Sequence, residues 1–228
     1  MASSLDLQEQ EQVDALKAFW KQYGNLVTWG LIAVLAAFAA WNGWNWYQRD
    51  QGLKAGAMFE ELERAAIAGD ADKTGRVFGD LKQRFPGTAY AEQAGLLAAR
   101  VLFEKGKADE ARAALAWVAD NASETEYRTV ARLRLAGVML DAKQYDEALK
   151  QLDAAKAEGF EALVADRRGD VLLAQGKKDE ARAAYQAAWK AMDEKLDYRR
   201  LIDAKLTALG ASPESEKPKT AVVTEAQK

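Results

Sequence analysis

The side chains that most often carry chemistry are scarce in this chain. His and Cys are absent from its 228 residues. That removes the commonest general base, the commonest zinc ligand, the thiolate nucleophile and any disulfide framework. Ser stands at Ser3, Ser4, Ser123, Ser212 and Ser215, and none has a His to activate it. Carboxylates and Lys remain, but no motif arranges them for catalysis. The stretch GDADKTG, Gly69 to Gly75, places Asp70, Asp72 and Gly75 as a calcium loop would. Thr74 then takes the third acidic position and Leu81 the place of the closing Glu, so the stretch reads as an interhelix turn. The sequence thus names no catalytic residue, no metal ligand and no cofactor. Its 32 basic and 35 acidic residues give a net charge of −3, which argues against sequence-independent nucleic-acid binding.

Two further groups invite a functional reading. Arg167-Arg168-Gly169-Asp170 reads first as charges solvated or paired within a helical array, and second as an exposed interaction patch. Trp117 and Trp189 read as core or inter-repeat contacts ahead of ligand stacking. A third group, Trp41, Trp44, Trp46 and Tyr47, is too dense for chance and needs its own explanation.

The elements around these residues supply it. From Gln22 to Gln48 there are 27 residues without a charge. A spanning helix needs ~20 mostly apolar residues to cross a ~30 Å hydrocarbon core, and Leu26 to Trp46 provides that length. At ~100° per residue, Trp44 lies about 300° around from Trp41, Trp46 about 140° and Tyr47 about 240°. A core helix would gather its aromatics on one stripe. A belt at the lipid headgroups scatters them in this way. Phe19, Trp20, Tyr23 and Trp29 mirror the belt at the other end. The competing reading is a cleaved signal peptide, with Ala37-Phe38-Ala39 as the cleavage site. Against it, Asp6, Glu9, Glu11 and Asp14 outnumber Lys17 and Lys21 before the apolar run. A retained single-span anchor follows. Lys17 and Lys21 on one side balance Arg49 and Lys54 on the other, so charge does not orient it. A short N-terminal side and a long C-terminal side fit an exported C-terminal domain.

Beyond Asp50 the composition is helical, and one motif recurs. GKADEARAAL (Gly106 to Leu115), KQYDEALKQL (Lys143 to Leu152) and GKKDEARAAY (Gly176 to Tyr185) share Asp-Glu-Ala, with Asp109, Asp146 and Asp179 spaced by 37 and 33 residues. A period of ~34 marks tetratricopeptide repeats, which are helix–turn–helix units. Twelve residues before each shared Ala (Ala111, Ala148, Ala181) stands a small residue: Ala99, Ala136 or Gly169. Four after it comes a large one (Leu115, Leu152, Tyr185), and seven after it Val118, Ala155 or Ala188. This spacing predicts the buried face of each second helix. The Gly-Lys or Lys-Gln turn is expected to stop each first helix, and Asp109, Asp146 and Asp179 to cap the next.

A diverged unit is expected over Leu53 to Pro86. Phe59, Leu62, Ala66 and Ile67 would face inward from its first helix; Val77, Phe78, Leu81 and Phe85 from its second. A last amphipathic helix, Tyr198 to Leu209, would close the array. The fold class is therefore all-α: one N-terminal transmembrane helix followed by a tetratricopeptide-repeat-like solenoid. The divisions are 1–21, a short cytoplasmic segment; 22–48, the span; 49–210, the repeat domain; and 211–228, a disordered tail.

A helical solenoid offers a concave surface lined by the first helix of each unit, suited to a helix or an extended peptide. The partner-binding candidates there are Leu96, Arg100, Phe103, Leu133, Leu140, Asp166, Asp170 and Leu173. The membrane-interface candidates are Trp20, Tyr23, Trp41, Trp44, Trp46 and Tyr47.

The combination has a known counterpart. An acidic N-terminus, then VDALKAFWKQYGN (Val13 to Asn25), a single span ending in Trp-rich sequence and a divergent repeat array resemble the ancillary SecYEG translocon subunit family, YfgM-like inner-membrane proteins of Gram-negative bacteria. The resemblance runs from about Glu9 to Gly210. It implies a cytoplasmic N-terminus and a periplasmic repeat domain. It implies association with the SecYEG translocon, with the membrane-anchored periplasmic chaperone PpiD and with newly exported client polypeptides. It carries over no catalytic residue. The expected function is a non-enzymatic, membrane-anchored scaffold or chaperone-like accessory of the translocon. The alternative is a structural homo-oligomer or complex-assembly factor of the bacterial inner membrane.

Overall fold

A computed structural model of the chain describes residues 7–211. Every regular element among them is a helix. In order these are α1 (Leu7–Ile67), α2 (Ala71–Arg84), α3 (Ala89–Glu104), α4 (Ala108–Asn121), α5 (Thr125–Asp141), α6 (Tyr145–Ala154), α7 (Glu161–Ala174), α8 (Lys178–Ala191) and α9 (Tyr198–Ala208). The chain divides into two units, one up to Leu53 and one from Lys54 onward. The tail expected over 211–228 lies, from residue 212, outside the described residues.

The first unit is the greater part of α1. Along its middle, Leu26, Val27, Leu31, Ile32, Val34, Leu35 and Phe38 are all exposed. Its polar side chains bond back to their own helix. Thr28 Oγ1 donates to the Gly24 carbonyl at 2.7 Å, and Asn42 Nδ2 donates to that of Phe38 at 3.3 Å. Such local satisfaction is what a helix needs where water is excluded. The helix is unbroken through Ala37, Phe38 and Ala39.

The second unit is a run of helix pairs. Each first helix ends in the same hydrogen-bonded turn. After α3, the Gly106 N–H donates to the Phe103 carbonyl and the Lys107 N–H to that of Leu102, both at 2.9 Å. Lys143 and Gln144 repeat this after α5, and Gly176 and Lys177 after α7. This Schellman turn requires a left-handed residue, and φ is +78° at Gly106, +59° at Lys143 and +79° at Gly176.

The turn also corrects the expected caps. Its last residue, Lys107, Gln144 or Lys177, is already the N-cap of the following helix, and none makes a side-chain cap bond. Asp109, Asp146 and Asp179 lie two residues later, inside the first turn. There they act on the helix macrodipole, worth about 0.3–1 kcal/mol each. The diverged pair formed by the end of α1 and α2 does have a side-chain cap: Asp70 Oδ1 accepts from the Lys73 N–H at 2.9 Å. Asp72 accepts from Lys107 Nζ at 2.6 Å, which holds its carboxyl below the usual range. The calcium-like stretch is thus an interhelix turn only at Gly69 and Asp70; from Ala71 it is the first turn of α2, with both acids in use.

Packing follows the small-to-large pattern. Ala99, Ala136, Ala111, Ala148 and Ala181 are buried, with Leu115, Leu152 and Tyr185 beside them. Val118 and Ala188 are buried as well, and Ala155 is partly so. In the first pair Leu62, Val77, Phe78, Leu81 and Phe85 are core, while Phe59 and Ala66 pack at its edge. Ile67 departs from expectation: it is the last residue of α1 and is 88% exposed. Trp117 packs edge-on against Phe78, with centroids 5.6 Å apart. Trp189 carries the Arg199 guanidinium 4.0 Å above its ring.

One recurring device was hidden from the sequence reading. Glu92 on α3 accepts from the Ser123 N–H at 2.7 Å, in the loop leading to α5. Thr129 on α5 accepts from the Ala157 N–H at 3.1 Å, in the loop leading to α7. Both side chains are buried, and each fixes the backbone of the next loop.

Candidate functional site

The second unit has a cleft of about 410 Å³ along its first helices. From α3 it takes Arg100 and Phe103, from α5 Arg134, Val138 and Asp141, and from α7 Arg167; Leu115 contributes from α4. Phe103 is 41% exposed, a large ring held half out of the core beside charged groups. An apolar anchor point ringed by charge suits a polypeptide.

The charges are not equivalent. Arg100 Nε donates to Glu104 Oε1 at 2.8 Å, and that bond and the Glu104 charge push its pKa up. Arg167 Nη1 lies 3.5 Å from Asp170 Oδ2. Arg134 Nη1 donates to the Leu96 carbonyl at 3.2 Å. Lost hydration and then the charge of Arg100 push the Arg134 pKa down.

Of the eight residues expected to line a partner surface, the cleft brings together Arg100 and Phe103. Leu96, Leu133 and Leu140 are partly buried and pack against the core. Leu173 is 38% exposed near the C-terminus of α7, outside the cleft.

Asp166 and Asp170 belong to a different constellation. Asp166 is 1% exposed. Lys205 on α9 lies 2.8 Å from both of its oxygens, and the Tyr198 hydroxyl donates to Oδ2 at 2.8 Å. Lys205 also donates to Asp170 Oδ1 at 2.7 Å, and the Tyr185 hydroxyl donates to the same oxygen at 2.8 Å. Two carboxylates of α7 therefore hold α9 through one ammonium. Burial, then the hydrogen bond to Asp166 and its negative charge, push the Tyr198 phenol up to about 12. Burial and Asp170 push Tyr185 up as well.

Arg134, Val138 and Asp141 were not singled out in the sequence; Arg167 was, within the Arg167–Asp170 group. A signal existed: Arg134 and Arg167 each stand two residues before a small packing residue, Ala136 and Gly169.

In the first unit, Trp20, Tyr23, Trp41, Trp44, Trp46 and Tyr47 are all exposed. Tyr23 and Trp41 are 18 positions apart on one helix, or about 27 Å at ~1.5 Å per residue. That separation matches a ~30 Å hydrocarbon layer with aromatics at both faces. This helix is the one among the described residues that is long and apolar enough to cross a membrane.

Comparison with known proteins agrees with this anatomy. The family model "Tetratricopeptide repeat-like domain" matches residues 17–211. An "Ancillary SecYEG translocon subunit" of Escherichia coli K12 is 33% identical over 80% of this chain and 87% of its own length. A protein of the same name from Neisseria gonorrhoeae is 31% identical over 89% of this chain and 98% of its own. One from Haemophilus influenzae is 27% identical over 80% and 89%. Among solved structures, "MamA RS-1 ArsTM double mutant" aligns at a TM-score of 0.49 with 18% identity, covering 70% of this chain and 90% of that one, too slight a likeness to bear on function. The match spans the exposed apolar helix and the repeat unit alike, and the chain belongs to the ancillary SecYEG translocon subunit family, with its tetratricopeptide repeat-like domain.

Proposed function

We propose that the protein is a non-enzymatic accessory of the SecYEG translocon, anchored in the inner membrane by α1, with its repeat unit in the periplasm. There it binds partner proteins or newly exported polypeptides, as a chaperone-like scaffold. The observation that carries this reading is the cleft around Phe103. It sets a half-exposed ring among charged groups on the first helices of successive pairs. The family relationship supports the translocon as the place of work, and the exposed apolar helix supports the anchor. The aromatics fit the two headgroup levels, with Trp20 and Tyr23 on the cytoplasmic side and Trp41, Trp44, Trp46 and Tyr47 on the periplasmic side. Under this reading the chaperone PpiD and exported clients are the partners.

A photo-crosslinking amino acid at Phe103, in living cells, tests the binding role. Adducts with a translocon subunit, PpiD or a nascent exported chain are expected; adducts with its own copies alone would overturn it. Orientation is tested separately with a C-terminal tag in spheroplasts. External protease should remove the tag, and full protection would place the domain on the other side.

A further inference from the structure

The chemistry of the occupant can be read from the cleft, an inference that rests on the polypeptide-binding reading above. Arg134, Val138 and Asp141 stand at i, i+4 and i+7 on α5, so they form one stripe along it, and all three line the cleft. Two other cations of the cleft are paired on their own helices, Arg100 with Glu104 and Arg167 with Asp170. Arg134 has no carboxylate partner among the described residues; its recorded bond goes to a carbonyl. Asp141 is likewise without a cationic partner among the described residues. Their Cα atoms are two helical turns apart, about 10 Å along the axis, and the side chains do not pair with each other. Val138 lies between them on the stripe, with Phe103 on the facing helix. The stripe is therefore cation, apolar, anion.

The spacing selects the conformation of what binds. In an extended peptide, residues about 10 Å apart are i and i+3, and these point to opposite faces. In a helix, i and i+7 are separated by the same distance and share a face. We infer that this cleft takes an amphipathic helix of a partner polypeptide that carries a carboxylate and a cation seven residues apart, with an apolar side chain between them on the same face. The carboxylate meets Arg134, the cation meets Asp141 and the apolar group rests on Val138 and Phe103. Either chain direction satisfies this, because the partner helix can reverse.

Fluorescent 16-residue helical peptides, acetylated and amidated, test this against the full chain in nanodiscs by anisotropy. One peptide has Glu and Lys at i and i+7 with Leu at i+4. A second has the same composition with Lys at i+9, on the opposite face. The first should bind about tenfold more tightly, the scale of one close charge pair across an interface. Asp141→Asn should erase that preference, whereas Arg134→Gln should weaken both peptides alike and leave it. Arg134→Glu should transfer it to a peptide with Lys at both positions. Equal binding of the two peptides, or a preference that survives Asp141→Asn, would overturn the inference. Equal binding that Phe103→Ala still weakens would do so while leaving the polypeptide-binding reading in place. A chain ended at Gly210 that gains affinity for every peptide would make residues 211–228 the occupant and overturn the partner helix.

Discussion

A Cβ built on Gly169 would stand 2.4 Å from Cε1 of Tyr185. The two residues are the third instance of a repeated pairing, after Ala99 with Leu115 and Ala136 with Leu152. At those positions the first helix carries a methyl group and the second an aliphatic chain, all buried. Here the first helix gives up its methyl so that the second can carry a ring, and the total volume is kept. Tyr185 is 1% exposed, so the ring has nowhere to turn.

Gly169→Ala should therefore destabilise the domain although Ala favours helix by about 1 kcal/mol. Overpacking costs about 1–3 kcal/mol, which outweighs that gain. A net loss of up to about 2 kcal/mol is expected in urea unfolding followed by circular dichroism. Gly169→Ala with Tyr185→Leu should recover part of it, by restoring the pairing used in the other repeats. A single substitution that proves neutral would contradict this account.

The attachment of α9 depends on Lys205. Removing one partner of a buried ion pair leaves the other uncompensated, at about 3–5 kcal/mol. Asp166 is the buried partner and has both oxygens on Lys205. Lys205→Met should release α9, seen as faster amide hydrogen exchange over Tyr198–Ala208 with little change in α3 to α5. Adding Asp166→Asn should lessen the effect, because the uncompensated charge is gone. Uniform exchange across all helices would show that α9 is not a separate latch.

These two cases mark what the sequence discloses. Ala99, Ala136 and Gly169 were legible because packing needs a size, and size is a property of residue type. Asp109 was misread as a cap because Asp suits both the N-cap and the first turn, and the choice rests on where the preceding Schellman turn ends. Glu92 and Thr129 do the same work with unlike side chains, so no pattern of identity links them. Asp166 and Asp170 were assigned to a partner surface from their helix face alone. Their partner, Lys205, lies on another helix, and only the folded chain brings it to them. Arg100 and Phe103 line the cleft because they lie on the face of α3 that forms it, a placement that helical spacing discloses.

The two tyrosines predict an alkaline transition. A phenol whose folded pKa is raised stabilises the fold fully below its unfolded pKa of about 10. That contribution is lost as pH rises through the folded value, about 12 for Tyr198 and higher for Tyr185. Stability should fall between pH 10 and 12, with phenolate absorbance of these two tyrosines appearing late. Tyr198→Phe should make the loss over this window shallower. An unchanged slope in that variant would remove Tyr198 from the transition.

The anchor reading makes its own demand. Val34 and Leu35 lie at the middle of the uncharged run from Gln22 to Gln48, and both are exposed on α1. An Arg near the centre of a span costs about 2.5–3.5 kcal/mol on the insertion scale. Val34→Arg with Leu35→Arg puts charge on two neighbouring faces of the helix, so rotation about its axis cannot turn both away from lipid. The double variant should shift from the carbonate-resistant membrane fraction to the soluble fraction. Val34→Ile with Leu35→Met should stay in the membrane. If the double Arg variant remains carbonate-resistant, α1 is not held by contact with hydrocarbon, and the exposed Trp41, Trp44 and Trp46 must serve a protein surface instead.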